Sequence, residues 1–166
     1  MTDHPLIGVG VFVVGPGDNH ILMGHRLSHH GQGSWGLAGG HVEFGEDPLY
    51  TAHRETKEET GMDIPLSSLS LLGITSDVFV ESHKHYITLF YVAPMPAGAI
   101  PGRTEPDKFN AWEWFDLQQL PNNLFLPIKN LIQNMGGTVQ MESAIKECLA
   151  QKVRPAAALP LKKQAT

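Results

Sequence analysis

The sequence predicts a mixed α/β (α+β) sandwich formed by a single domain. Three observations carry this. Apolar runs rich in Val, Ile and Leu recur at 6–14, 20–26, 69–80 and 85–93, bounded by Gly, Pro and polar residues, as strands are. A punctuated segment, 47–60, reads as a helix between the first and second pair of runs. The chain has 166 residues, enough for one sizeable core.

The elements follow in order. The opening MTDHPLIGVGVFVV has no basic leader and is too short and glycine-broken to span a membrane, so 6–14 reads as a core strand. Residues 15–19 (GPGDN) separate it from 20–26, and the two runs read as a hairpin. Residues 28–34 (SHHGQGS) form a polar loop, and short strands at 35–37 and 41–43 flank the pair Gly39-Gly40. The helix over 47–60 has Asp47 and Pro48 in its first turn and Gly61 at its end, residue types that suit those positions. Strands at 69–80 and 85–93 are joined by ESHK. Residues 94–108, rich in Pro and Gly, form a long loop of the kind that often carries function. AWEWFD at 111–116 alternates as a strand, placing Trp112 and Trp114 on one side and Phe115 on the other. Helices fit 124–135 and 141–152. The domain is expected over 1–153, with RPAAALPLKKQAT (154–166) as a flexible tail.

The chemistry lies between Gly40 and Met62, GHVEFGEDPLYTAHRETKEETGM. Gly40, Glu46, Arg54, Glu55, Glu58, Glu59 and Gly61 stand at the spacing G-x5-E-x7-R-E-x-x-E-E-x-G. At about 3.6 residues per turn, Glu55, Glu58 and Glu59 share one helix face. Three like charges there repel one another, which is unfavourable on a bare solvated helix and reasonable where a cation sits. Oxygen-only donors suit Mg2+, with Mn2+ as the alternative. Glycines at 39 and 40 let backbone approach such an ion closely. Glu46 precedes the helix, where it could meet Arg54 or an outer metal.

That spacing resembles the box of the Nudix hydrolases. The resemblance implies a Nudix fold, with a mixed β-sheet between α-helices. It also implies a diphosphate-cleaving enzyme that uses Mg2+, with Glu55, Glu58, Glu59 and the Gly39 carbonyl as metal ligands. Arg54 would orient the box glutamates. Glu105, in the loop motif EPDK, matches a family glutamate that serves as a further ligand or as general base; Glu59 competes for the second role. Beyond the box, WEWFDLQQLP and LFLPIKNL resemble the branch of nucleotide triphosphate diphosphatases of the 8-oxo-dGTP diphosphatase (MutT) type. Three positions depart from it. Ala38 replaces a usual proline, Thr56 a usual aliphatic residue, and Leu126 a tryptophan that could line a base pocket.

Other candidates lie outside the box. Arg26, at a strand end, could hold a phosphate bidentately or form a surface ion pair. His41 follows Gly40 and could touch substrate. Trp112 or Trp114 could stack on a base or simply fill the core. His29–His30 and His83–His85 could suggest zinc, but no supporting Cys or carboxylate pattern accompanies them, so surface loops explain them better. The net charge of −5 argues against a nucleic-acid polymer as partner. Cys148 is the single cysteine, so no intrachain disulfide is available. A cytoplasmic location is expected from that and from the absent leader, and a homodimer from the resemblance.

The leading expectation is therefore Mg2+-dependent hydrolysis of a nucleoside triphosphate, ordinary or oxidised, to monophosphate and pyrophosphate. The alternatives are ADP-ribose or another nucleoside diphosphate derivative, an isoprenoid diphosphate made more credible by Leu126, and a non-catalytic ligand-sensing or interaction module. Intact box glutamates speak against the last.

Overall fold

A computed structural model describes residues 4–151; the expected tail over 154–166 lies outside them. The elements are β1 (Leu6–Val14), β2 (His20–Arg26), β3 (Trp35–Gly36), β4 (Ala38–His41), α1 (Pro48–Thr60), a 3-10 turn (Leu66–Ser68), β5 (Ser70–Phe79), β6 (Lys84–Pro94), β7 (Phe109–Asp116), α2 (Leu126–Met135) and α3 (Thr138–Gln151).

The strands form one mixed sheet, and β1 is its axis. It runs parallel to β6 along its whole length, from Leu6 opposite Tyr86 to Val14 opposite Pro94. On its other flank it pairs antiparallel with β4, from Gly8–His41 to Val11–Ala38. β1 and β2 meet only at Val14–Ile21, so the expected hairpin is a hairpin only at its turn. The cause is competition: β4 occupies the flank of β1 that a longer hairpin would use. β2 diverges to pair with β7, and β3 with β2. β5 closes the far edge on β6.

Alternation along β1 divides the core into two layers. Phe12 and Val14 point to one face, where they join Met23, Phe90, Ile128, Leu131, Met141 and Ile145. Val9, Val11 and Val13 point to the other, against Ala52, Met62 and Ile64. Hence α1 covers one face and α2 with α3 the other, giving the expected sheet between helices.

α3 starts at Thr138 and β7 at Phe109, earlier than the expected 141 and 111, and two further differences lie beside the site. The glycine pair lies within β4 instead of between two strands, because Gly39 and Gly40 pair with Gly10 and Val9 of β1. α2 begins at Leu126 instead of 124. The preceding residues are extended because Phe125 N–H donates to the Trp35 carbonyl (2.9 Å) and Trp35 N–H to that of Asn123 (2.7 Å).

Candidate active site: a glutamate face tied by one arginine

α1 is fixed at both ends by local chemistry. The Asp47 side chain accepts from Leu49 N–H at 2.8 Å, satisfying an otherwise unpaired donor of the first turn. Gly61 closes the helix with φ 74°, a left-handed conformation that glycine adopts freely. Trp112 Nε1 donates to the Glu59 carbonyl (3.1 Å), and Gly102 N–H donates to that of Thr60 (2.7 Å). Thr104 Oγ1 donates to the Glu58 carbonyl. These bonds satisfy last-turn carbonyls and draw the 94–108 loop onto the helix end, close enough for the Glu105 charge to act on Glu59. Trp112 is thus a clamp on α1, and Phe115 packs edge-on against Trp35 at 4.9 Å.

The side chains converge on Arg54. Its Nε donates to Glu46 Oε1 at 2.7 Å and its Nη2 to Glu46 Oε2 at 3.1 Å, a two-pronged pair. Its Nη1 donates to Glu55 Oε1 at 2.9 Å and to Glu58 Oε2 at 3.1 Å. One guanidinium therefore orders three carboxylates, and the Glu46 contact raises its pKa. Glu46 also accepts from Thr51 Oγ1 (2.6 Å) and from Glu43 N–H (3.1 Å). The Arg54 hydrogen bond is the main cause holding its carboxyl down, to about 2.

That pair gives a pH prediction. A carboxyl depressed on folding stabilises the protein above its unfolded value of roughly 4.5, and the gain is lost as pH falls through the folded value. Melting temperatures of the wild type and Glu46→Gln should therefore differ most at neutral pH and draw together between about pH 4.5 and 2. A gap independent of pH would refute the coupling.

Glu59 and Glu55 are buried, 3% and 7% exposed, whereas the Glu58 side chain is 46% exposed. Burial raises the carboxyl of Glu55 and, more strongly, that of Glu59. Gly39 N–H donates to Glu59 Oε2 at 2.9 Å. Glu55 Oε2 is buried with no hydrogen-bond partner. A Cβ on Gly40 would stand 2.4 Å from the Glu55 carboxylate, and one on Gly39 2.0 Å from the Val9 carbonyl oxygen. Glu105 Oε2 lies 3.0 Å from Lys108 Nζ, and its charge contributes to raising Glu59.

This donor set fits a hard divalent cation. It is all oxygen, and the buried Oε2 of Glu55 lacks a partner. Among the described residues no three Asp, Glu, His or Cys side chains form a ready-made cage. That suits an ion such as Mg2+, which keeps waters and takes few carboxylates.

Two adjoining cavities share Arg26, His30, Gly39, Gly40, His41 and Tyr86. The broader, of about 330 Å³, is lined by Glu55, Glu59, Lys84 and Lys108. The narrower, of about 100 Å³, is walled by Phe79, Tyr86, Phe90, Phe125 and Ile128. His30 packs on Phe79 with ring centroids 4.0 Å apart, and His41 stacks on Tyr86 at 5.3 Å. His41 Nε2 and the Tyr86 hydroxyl are 2.8 Å apart. Burial lowers both imidazoles, His30 to about 4, so they face the cavity uncharged at neutral pH.

Arg26 lies at the junction of the cavities. Its Nη2 donates to the His30 carbonyl (2.9 Å) and Ser28 Oγ (3.1 Å), and its guanidinium sits 4.1 Å from the Phe125 ring centre. It belongs to none of the ion pairs among the described residues, so the surface-pair alternative does not hold. Leu126, by contrast, lines neither cavity; its neighbours Phe125, Pro127 and Ile128 line the narrower one. Thr56 is fully buried, with its hydroxyl satisfied by the Ala52 carbonyl at 2.8 Å. Sequence reasoning passed over Tyr86, Phe125, Lys84 and Lys108, which lie among ordinary strand and loop residues with no spacing signal.

A sheet between helices, with a glutamate-bearing helix beside a glycine strand, defines a class: hydrolases that act on diphosphate bonds. The NUDIX domain matches residues 4–150, and the chain belongs to the Nudix hydrolase family. It is 34% identical over 122 residues to an ADP-ribose pyrophosphatase of Methanocaldococcus jannaschii, covering 74% of this chain and 68% of the relative. An RNA pyrophosphohydrolase of Rhizobium meliloti is 31% identical over 144 residues, covering 73% and 84%. A MutT NUDIX hydrolase structure from Burkholderia pseudomallei superposes with TM-score 0.67 and 31% identity, over 74% of this chain and 91% of that one. Nudix hydrolases act on diphosphate bonds of varied substrates and generally use divalent metals, typically Mg2+.

Proposed function

We propose that this chain is a Mg2+-dependent pyrophosphohydrolase that cleaves a nucleoside triphosphate, ordinary or oxidised, to monophosphate and pyrophosphate. The observation that carries the reading is the junction of the two cavities. An aromatic slot opens through Arg26 and the glycine strand onto the glutamate face. A ligand filling both has a flat ring at one end and linked phosphates at the other.

Each residue then has a task. Glu55, Glu58 and Glu59, with the Gly39 carbonyl and Glu105, would hold the metal. When bound, it neutralises diphosphate charge and acidifies water. Arg54 fixes the glutamate rotamers, so little reorganisation is needed during reaction. Glu59 or Glu105 takes the proton of the attacking water, whose oxygen bonds to phosphorus as the phosphoanhydride bond breaks, and the departing pyrophosphate or nucleoside monophosphate keeps the bond electrons. Arg26 supplies a fixed positive group where the phosphates enter, and His41 with Tyr86 borders the ring.

ADP-ribose is the second reading, favoured by the name of the Methanocaldococcus relative. The isoprenoid reading loses its ground, since Leu126 lines neither cavity. A homodimer in the cytoplasm completes the proposal; the exposed Ile74, Val78 and Val80 on and beside edge strand β5 support self-association. Among the described residues no helix is long and apolar enough to cross a membrane.

The test is a Mg2+-dependent release assay over NTPs, dNTPs, 8-oxo-dGTP, ADP-ribose and geranyl diphosphate. Pyrophosphate with a nucleoside monophosphate is the expected result. Turnover confined to ADP-ribose or geranyl diphosphate would overturn the triphosphate assignment.

A further inference from the structure

Beneath the aromatic slot lies a buried polar cluster that diphosphate cleavage does not use. Asp77, on β5, is fully buried. Its Oδ2 accepts from Thr75 Oγ1 at 2.8 Å and from Thr88 Oγ1 at 2.6 Å, and its Oδ1 accepts from Asn130 Nδ2 at 2.8 Å. All three donors are neutral, and Asp77 enters none of the ion pairs among the described residues. The cluster ties β5 and β6 to α2, and of its four members only Thr88 lines the slot. Its hydroxyl oxygen lies on the Gly8 side, 3.8 Å from where a Cβ on that glycine would stand.

A threonine hydroxyl has one proton and two lone pairs. Here the proton is committed to Asp77, so the oxygen can offer the slot only a lone pair. Two other polar side chains at the slot are engaged, Arg26 with the His30 carbonyl and His41 with Tyr86, and the His30 ring is packed on Phe79. Resting on the nucleotide reading above, we propose that Thr88 determines specificity. Asp77 is the residue that positions its hydroxyl as an acceptor. The slot then selects a flat heteroaromatic ring that presents an exocyclic amino group as the donor, an amino-substituted base. A ring lacking that donor leaves the Thr88 oxygen desolvated and unpaired, which disfavours it more strongly than lost contact area would.

Titration calorimetry with two pairs of monophosphates tests this: GMP against IMP, and AMP against purine riboside monophosphate. Each pair differs by one amino group. In the wild type, at least one amino member should bind on the order of tenfold tighter than its partner. Thr88→Val should erase that ratio and raise KM for the matching triphosphate with kcat retained, while Thr88→Ser should keep the ratio. Asp77→Ala should shrink it by freeing the hydroxyl, and the two Thr88 variants decide the matter if Asp77→Ala does not fold. Equal binding within both pairs, or a ratio that survives Thr88→Val, would overturn the proposal. Failure of the nucleotide reading looks different: the wild type would bind none of the four and release no pyrophosphate from any triphosphate.

Discussion

Gly40→Ala is expected to lower turnover by about two orders of magnitude while leaving a folded protein, the scale of losing one preorganised polar group from an active site. The added Cβ would stand 2.4 Å from the Glu55 carboxylate, the end of a side chain that can swing aside. Relief thus comes from moving Glu55, not the sheet. Moving it breaks the 2.9 Å bond from Arg54 and displaces the buried oxygen that lacks a protein partner. Thermal unfolding should shift by only a few degrees, about 1 kcal/mol. Gly39→Ala is the contrast. Its Cβ would meet the Val9 carbonyl oxygen at 2.0 Å, where both neighbours are paired backbone, so the cost falls on the fold at ~3 kcal/mol or more. Steady-state kinetics beside calorimetric melting separates the two. Near-normal turnover in Gly40→Ala would remove Glu55 from the machinery.

The second large effect belongs to Glu59→Gln, for which turnover should fall by roughly a thousandfold with no loss of stability in metal-free buffer. Glu59 is 3% exposed, and its ionised form is disfavoured there. The amide has nearly the same shape, keeps an oxygen for Gly39 N–H and carries no charge to bury. Denaturant midpoints in chelator should match or exceed those of the wild type. Glu58→Gln, at the exposed end of the same face, should also abolish most turnover and spare the fold. Wild-type rates in both would dismiss the metal assignment; a large drop in midpoint for Glu59→Gln would make that residue a structural one.

These expectations draw unequally on sequence and on structure. The helix, its caps and its shared glutamate face follow from positions 47–61, because helix periodicity and capping are local rules. The pairing of β1 with β6 is not local, and nothing in residues 6–14 marks a preference for Tyr86–Pro94 over the adjacent 20–26 run. The hairpin reading holds only at its turn, Val14–Ile21, since β4 competes for the flank of β1. Within the candidate site, the grouping of Arg54 with the box glutamates was legible because helix spacing alone puts them within reach of one another. Phe125 and Tyr86 were not, since an aromatic residue that walls a cavity reads in sequence like one that fills a core. Leu126 was singled out for replacing a tryptophan, yet the backbone turns its neighbours toward the slot instead. Trp112, weighed as a base-stacking candidate, spends its indole N–H on the helix end.

The pairing of β1 with β6 also orders events in time. All of α1 lies in the chain between those strands, so their zipping closes a loop that contains every box glutamate. Glu105 and Trp112, the second of which clamps the helix end, emerge later still. A nascent chain leaving the ribosome would present the whole acidic helix well before it holds the strand that flanks β1. Loops closed by such distant contacts form late and slowly. Diphosphate-cleaving competence should therefore arrive as a single step, only once the strands on both flanks of β1 have closed around α1.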